Sequence, residues 1–103
     1  MNRFSVSVCT LLLLLVSASA LAHYPIMSCE RLDQQVECRV GFSDGSKAIG
    51  KRVRLINYDE LELARKRADS HSKVSFKIPD GEFYIRFESG HEYPVELDYE
   101  EIH

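Results

Sequence analysis

From Val36 to the C-terminus, apolar side chains fall on every second position in run after run, and most runs close on residues that turn a chain. Val36, Cys38, Val40 and Phe42 alternate with Glu37, Arg39 and Gly41 before Asp44-Gly45. Val53 and Leu55 alternate with Arg52 and Arg54. Val74, Phe76 and Ile78 alternate with Lys73, Ser75 and Lys77 before Pro79-Asp80-Gly81. Phe83, Ile85 and Phe87 alternate with Tyr84, Arg86 and Glu88 before Ser89-Gly90, and Tyr93, Val95, Leu97 and Tyr99 form a last run. A period of two puts the apolar groups of a strand on one face, so each run reads as a half-buried strand. An earlier strand is expected over Tyr24–Cys29, where Pro25 suits an edge because it has no N–H to offer a neighbour. In Leu61–Ala68, the stretch Glu62-Leu63-Ala64-Arg65 also favours a helical turn, but the neighbouring runs argue for a strand. Seven short strands between turns predict a small all-β fold, a seven-stranded antiparallel β-sandwich of Ig-like or prealbumin-like kind.

The first residues carry a different pattern. Arg3 is followed by the apolar run Leu11–Val16, and Ala20-Leu21-Ala22 places small residues where a signal peptidase cuts. The apolar run is too short to span a bilayer comfortably. Residues 1–22 are therefore expected to be a removed signal peptide, and residues 23–103 the β-sandwich domain of a periplasmic or secreted protein. A lipid anchor on Cys9 is not expected, because Cys9 precedes the apolar run. Cys29 and Cys38 remain after processing, and two thiols in an oxidising compartment predict a disulfide rather than a thiolate metal site. Placed opposite each other on a hairpin, they put the turn between Asp33 and Gln34, in the polar stretch Arg31–Gln35.

From His23 onward there are 12 Lys and Arg against 16 Asp and Glu, which argues against nucleic-acid binding, since that needs a basic face. The charge is uneven: residues 47–77 are mostly basic, and Asp80 onward holds eight acids against one Arg. With the cysteines paired and no Gly-x-Ser-x-Gly element, no activated nucleophile is evident, and an enzyme is not expected.

The histidines carry the functional reading. Consecutive antiparallel strands alternate between the two ends of a sandwich. If the first strand starts at His23, the same end collects the Ser43–Gly50 loop, the Ser70-His71-Ser72 turn and the Ser89-Gly90-His91 turn. His23, His71, His91 and Asp44 then share one end as candidate metal ligands, and His103 falls at the other. Imidazole suits copper, nickel and zinc. Cleavage before His23 would add its α-amino group, so that one residue offers two nitrogens. A mainly nitrogen donor set favours tetragonal Cu(II) or Ni(II).

The segments Gly50–Tyr58, Leu63-Ala64, Val74–Phe76 and Pro79–Ile85, within a span that covers about half of residues 23–103, resemble the carboxypeptidase regulatory-like, transthyretin-related β-sandwich. Asp69 matches the aspartate of that family, while Ser70-His71-Ser72 stands where the family has an Asp-Gly turn. The resemblance implies a fold and says little about function. Some periplasmic relatives begin with histidine after signal cleavage and serve uptake of nickel or another metal, and His23 is the residue that matches. The expectation is a periplasmic accessory protein for copper or nickel, acting with a metal transporter or another envelope protein. The alternative is a metal-free envelope protein-interaction module that uses an exposed edge strand or the loops of the histidine-bearing end.

Overall fold

A computed structural model describes residues 23–90 and 93–103. The expected signal peptide, residues 1–22, and the candidate ligand His91 lie outside the described residues.

The five alternating runs, and the two further segments expected as strands, each form one. They are β1 (Pro25–Leu32), β2 (Gln35–Phe42), β3 (Arg52–Asn57), β4 (Glu62–Arg67), β5 (Lys73–Lys77), β6 (Phe83–Glu88) and β7 (Val95–Asp98). Two antiparallel sheets result, ordered β1-β2-β5 and β4-β3-β6-β7. The fold is a seven-stranded β-sandwich. In the immunoglobulin constant arrangement the fourth strand joins the first, second and fifth. Here β4 pairs with β3 instead. The Leu61–Ala68 segment is thus a strand, with Arg65, Lys66 and Arg67 along a sheet edge, where charge discourages pairing with another chain.

The core is the set of alternating residues. Val36, Cys38, Val40, Phe42, Val53, Leu55, Val74, Phe76, Phe83, Ile85 and Phe87 are buried and pack together, and Ile102 closes the core from the C-terminus. Burying a side chain the size of Phe stabilises by about 1.5–3 kcal/mol. Met27 packs partly buried against this core.

The last apolar run does not extend to Tyr99 as a strand. The Asp98 carboxylate accepts from the Glu100 amide at 3.1 Å, and the Glu101 carboxylate accepts from the Asp98 amide at 3.2 Å. This reciprocal cap winds Tyr99–Glu101 into a 3-10 turn. Tyr99 still packs, its ring 5.8 Å from that of Phe83. Tyr93, at the start of that run, is 90% exposed.

The cysteines lie directly opposite each other on β1 and β2 and form a disulfide, with Cα atoms 4.1 Å apart. The turn is Asp33-Gln34, closed by the Leu32–Gln35 pair. Asp33 takes the left-handed conformation, φ 60°, which Asp tolerates better than most residues. Counting back from that closing pair, Cys29 and Cys38 occupy the closely spaced pairing position that brings side chains together.

Candidate functional site

One end of the sandwich is built from the start of β1, the loop between β2 and β3, and the β4–β5 turn. The loop has a local code. The Asp44 carboxylate accepts from the Ser46 amide at 2.9 Å and from the Ser46 hydroxyl at 2.7 Å. Gly45, at φ 90°, supplies the left-handed step and donates to the Phe42 carbonyl at 2.9 Å. The Phe42 amide donates to the Ser46 carbonyl at 3.1 Å. Asp-Gly-Ser is a turn sequence whose side chains satisfy its own backbone.

The loop also holds the first described residues. The Ser43 amide donates to the Tyr24 carbonyl at 2.8 Å, and the Tyr24 amide donates to the Ser43 hydroxyl at 3.0 Å. His23 is thereby delivered onto the end of the core. Its ring stacks on Phe42, with centroids 4.6 Å apart and planes 14° from parallel. Its Nδ1 lies 2.8 Å from Asp44 Oδ2. Asp44 is thus held on one oxygen by Ser46 and aimed with the other at His23. The Ser46 hydroxyl, the Ser46 amide and then His23 bring its pKa down to about 2. The carboxylate stays ionised through the whole range in which proteins work. With Asp44 ionised, Nδ1 donates and Oδ2 accepts in this contact.

The β4–β5 turn is docked beside this loop. The Gly50 amide donates to the Ala68 carbonyl at 2.8 Å, the Ala68 amide to the Lys51 carbonyl at 2.9 Å, and the Ala48 amide to the buried Ser72 hydroxyl at 2.6 Å. His71 therefore lies at the same end as His23. Its side chain does not join His23: the Nδ1 lies 3.5 Å from the Ser70 hydroxyl, and the residue borders a groove on the outer face of the β1-β2-β5 sheet. Among the described residues, no three His, Cys, Asp or Glu side chains come together as a ready metal cage. His103 is at the opposite end, where its carbonyl accepts from the Arg31 amide at 2.8 Å, close to the Asp33 turn.

Sequence reasoning named His23 and Asp44 but missed two residues that position them. Ser46 was legible in the Asp44-Gly45-Ser46 turn. Phe42 read only as core, because the alternation that buries its ring cannot show that one face also carries an imidazole.

The outer face of the other sheet holds a ladder of mutually satisfied charges. Arg54 donates to Glu62 at 2.7 Å and to Glu88 at 3.0 Å, Arg86 donates to Glu96 at 2.8 Å, and the Tyr84 hydroxyl donates to Glu60 at 3.0 Å. Loss of hydration, then Glu60, raises the Tyr84 pKa.

What fold and site define together is a small disulfide-linked β-sandwich with a carboxylate-anchored histidine at one end. Comparison of the chain with family models, with curated proteins and with solved structures finds no match. Among the described residues, no helix is long and apolar enough to cross a membrane.

Proposed function

We propose that the chain is an exported accessory protein of the cell envelope that binds copper(II) or nickel(II) at its amino end. His23 becomes the first residue once residues 1–22 are removed, and the ion is exchanged with a metal transporter or another envelope protein. The observation that carries this reading is the 2.8 Å between His23 Nδ1 and Asp44 Oδ2. Two donors about 2.0–2.1 Å from one metal, at right angles, stand about 2.9 Å apart. An ion bound to both atoms would sit beside the line that joins them, and the imidazole would turn to aim Nδ1 at it. Cleavage before His23 turns its amide nitrogen into an amine, and amine plus Nδ1 close a six-membered chelate ring. This makes a donor set of two nitrogens and one carboxylate oxygen, suited to tetragonal Cu(II) or Ni(II). Asp44, ionised down to about pH 2, offers that oxygen with no proton to displace. His91 is the sequence candidate for a further nitrogen. The Cys29–Cys38 disulfide agrees with an oxidising compartment. The rival reading, a metal-free interaction module, rests on the edge strand β1, where Ile26 is 46% exposed.

The test is calorimetric Cu(II) titration in weakly chelating buffer of protein recovered after export, its start at His23 checked by intact mass. One glycine inserted between Ala22 and His23 abolishes the free amine beside the ring and keeps the fold. That insertion, His23→Ala and Asp44→Asn are each expected to weaken binding at least tenfold, or about 1.4 kcal/mol. His103→Ala is expected to bind as the parent does. Equal affinity with and without the inserted glycine refutes the amino-terminal site. A mass that retains residues 1–22 refutes the export reading.

A further inference from the structure

The groove that His71 borders has a composition at odds with the chain as a whole. The protein is net acidic, −3, but this groove is lined by Arg39, Lys47 and Lys73, with Ile26 on one wall. Its shape is set by backbone. The β2–β3 loop folds back over the outer face of β2 through a bridge between Gly41 and Lys47. A Cβ on Gly41 would stand 3.1 Å from the Ser46 carbonyl oxygen, a tight contact that would push the loop out by a few tenths of an ångström, so glycine lets the loop lie this close. The groove is open to solvent and has a volume of about 500 Å³, within the range of small-molecule sites.

The charges in it are poorly matched. Arg39 and Lys73 are direct cross-strand partners on β2 and β5, so two cations share one pairing position on the solvent face. Like charges placed directly opposite destabilise a sheet. The Arg39 side chain has no ion pair or hydrogen bond among the described residues. Lys73 Nζ lies 3.6 Å from Glu37, an ion pair beyond hydrogen-bonding distance, and Lys47 Nζ reaches the Ser70 carbonyl at 3.4 Å. Elsewhere on the protein Arg54 and Arg86 meet carboxylates at 3.0 Å or less. Among the described residues the Arg39 side chain stands unpaired beside a second cation, in a formed groove with an exposed Ile26 on its wall.

We infer that this groove binds a small organic carboxylate with an apolar tail, its carboxylate on Arg39 and Lys73 and its tail against Ile26. The planar guanidinium fork matches a carboxylate with two parallel hydrogen bonds, and the added negative charge relieves the Arg39–Lys73 repulsion. The groove shares the β2–β3 loop with the His23–Asp44 pair, but the proposed contacts to Arg39, Lys73 and Ile26 include neither residue, and the inference does not rest on the metal reading.

Titration of the isotopically labelled exported protein with hexanoate, followed by amide NMR, tests it. Saturable shifts are expected at Gly41, Gly45, Ser46, Lys47 and Lys73, with hexanol and inorganic phosphate each binding at least tenfold more weakly. Arg39→Gln and Ile26→Glu, both exposed positions checked for an unchanged thermal midpoint, are expected to weaken hexanoate at least fivefold, and His103→Ala, at the opposite end, to leave it unchanged. The inference is overturned if the shifts fall elsewhere, if Arg39→Gln binds hexanoate like the parent, or if hexanol or phosphate binds as tightly.

Discussion

Breaking the Cys29–Cys38 bridge is expected to weaken the fold by an amount that the structure lets one work out. The bond closes a segment of sequence separation 9. In the chain-entropy treatment, a loop of that size restricts the unfolded chain by about 2.6 kcal/mol at 25 °C. Nothing else in the core need change. β2 keeps β5 as its second neighbour, and Val36, Val40 and Phe42 on β2 remain buried. For a domain this small, a loss of that size lowers the thermal midpoint by roughly 10–20 °C. In urea, with m near about 1 kcal/mol/M, it lowers the midpoint by roughly 2–3 M. The assay is urea unfolding of three samples: oxidised parent, parent with reductant, and the Cys29→Ala/Cys38→Ala double variant. The double variant is expected to fall somewhat below the reduced parent, because Cys38 is fully buried and its sulfur fills core space. The m-value must stay constant for the comparison to hold. A reduced parent within about 0.5 kcal/mol of the oxidised one refutes the reasoning. It would show that the two-residue turn at Asp33-Gln34 already holds the hairpin together in the unfolded chain.

Three further outcomes are expected. Phe76→Ala, at a fully buried ring between the sheets, destabilises by about 3–5 kcal/mol in urea unfolding. Ser46→Ala removes the largest cause of the low Asp44 pKa, so NMR titration of that carboxyl shows its midpoint moving up from about 2 toward 3.8. A carboxylate whose pKa is lowered by folding stabilises above its unfolded pKa, and that contribution is lost as pH falls from 3.8 through about 2, so the variant is the less stable of the two at neutral pH. Arg54→Met, which breaks the contacts to Glu62 and Glu88 near the surface, lowers stability by no more than about 1 kcal/mol, with a smaller difference from the parent in 1 M salt.

Five of the seven strands were legible because alternation is a local property: a strand with one wet and one dry face writes its period into every second residue. The same alternation named most of the core, from Val36 to Phe87, and the polar turn between Cys29 and Cys38 made their pairing readable. Counting strands also placed His23, Asp44 and His71 at one end, because antiparallel order fixes which end a turn occupies.

That count fixes the end a residue lies at, but not which way its side chain faces. Only the packed sandwich puts His23 on Phe42 and within reach of Asp44, and puts His71 on the border of the outer groove instead. Only the β2–β5 register, made between strands far apart in sequence, sets Arg39 opposite Lys73. The choice of β3 as the partner of β4 is also tertiary. A charged edge strand such as Glu62–Arg67 has little apolar pattern of its own, so its place is set by the open edge it meets. The end of β7 was hidden for a different reason. Its alternation runs on through Tyr99, but the paired caps of Asp98 and Glu101 satisfy backbone amides locally, and that local bonding outweighs the period.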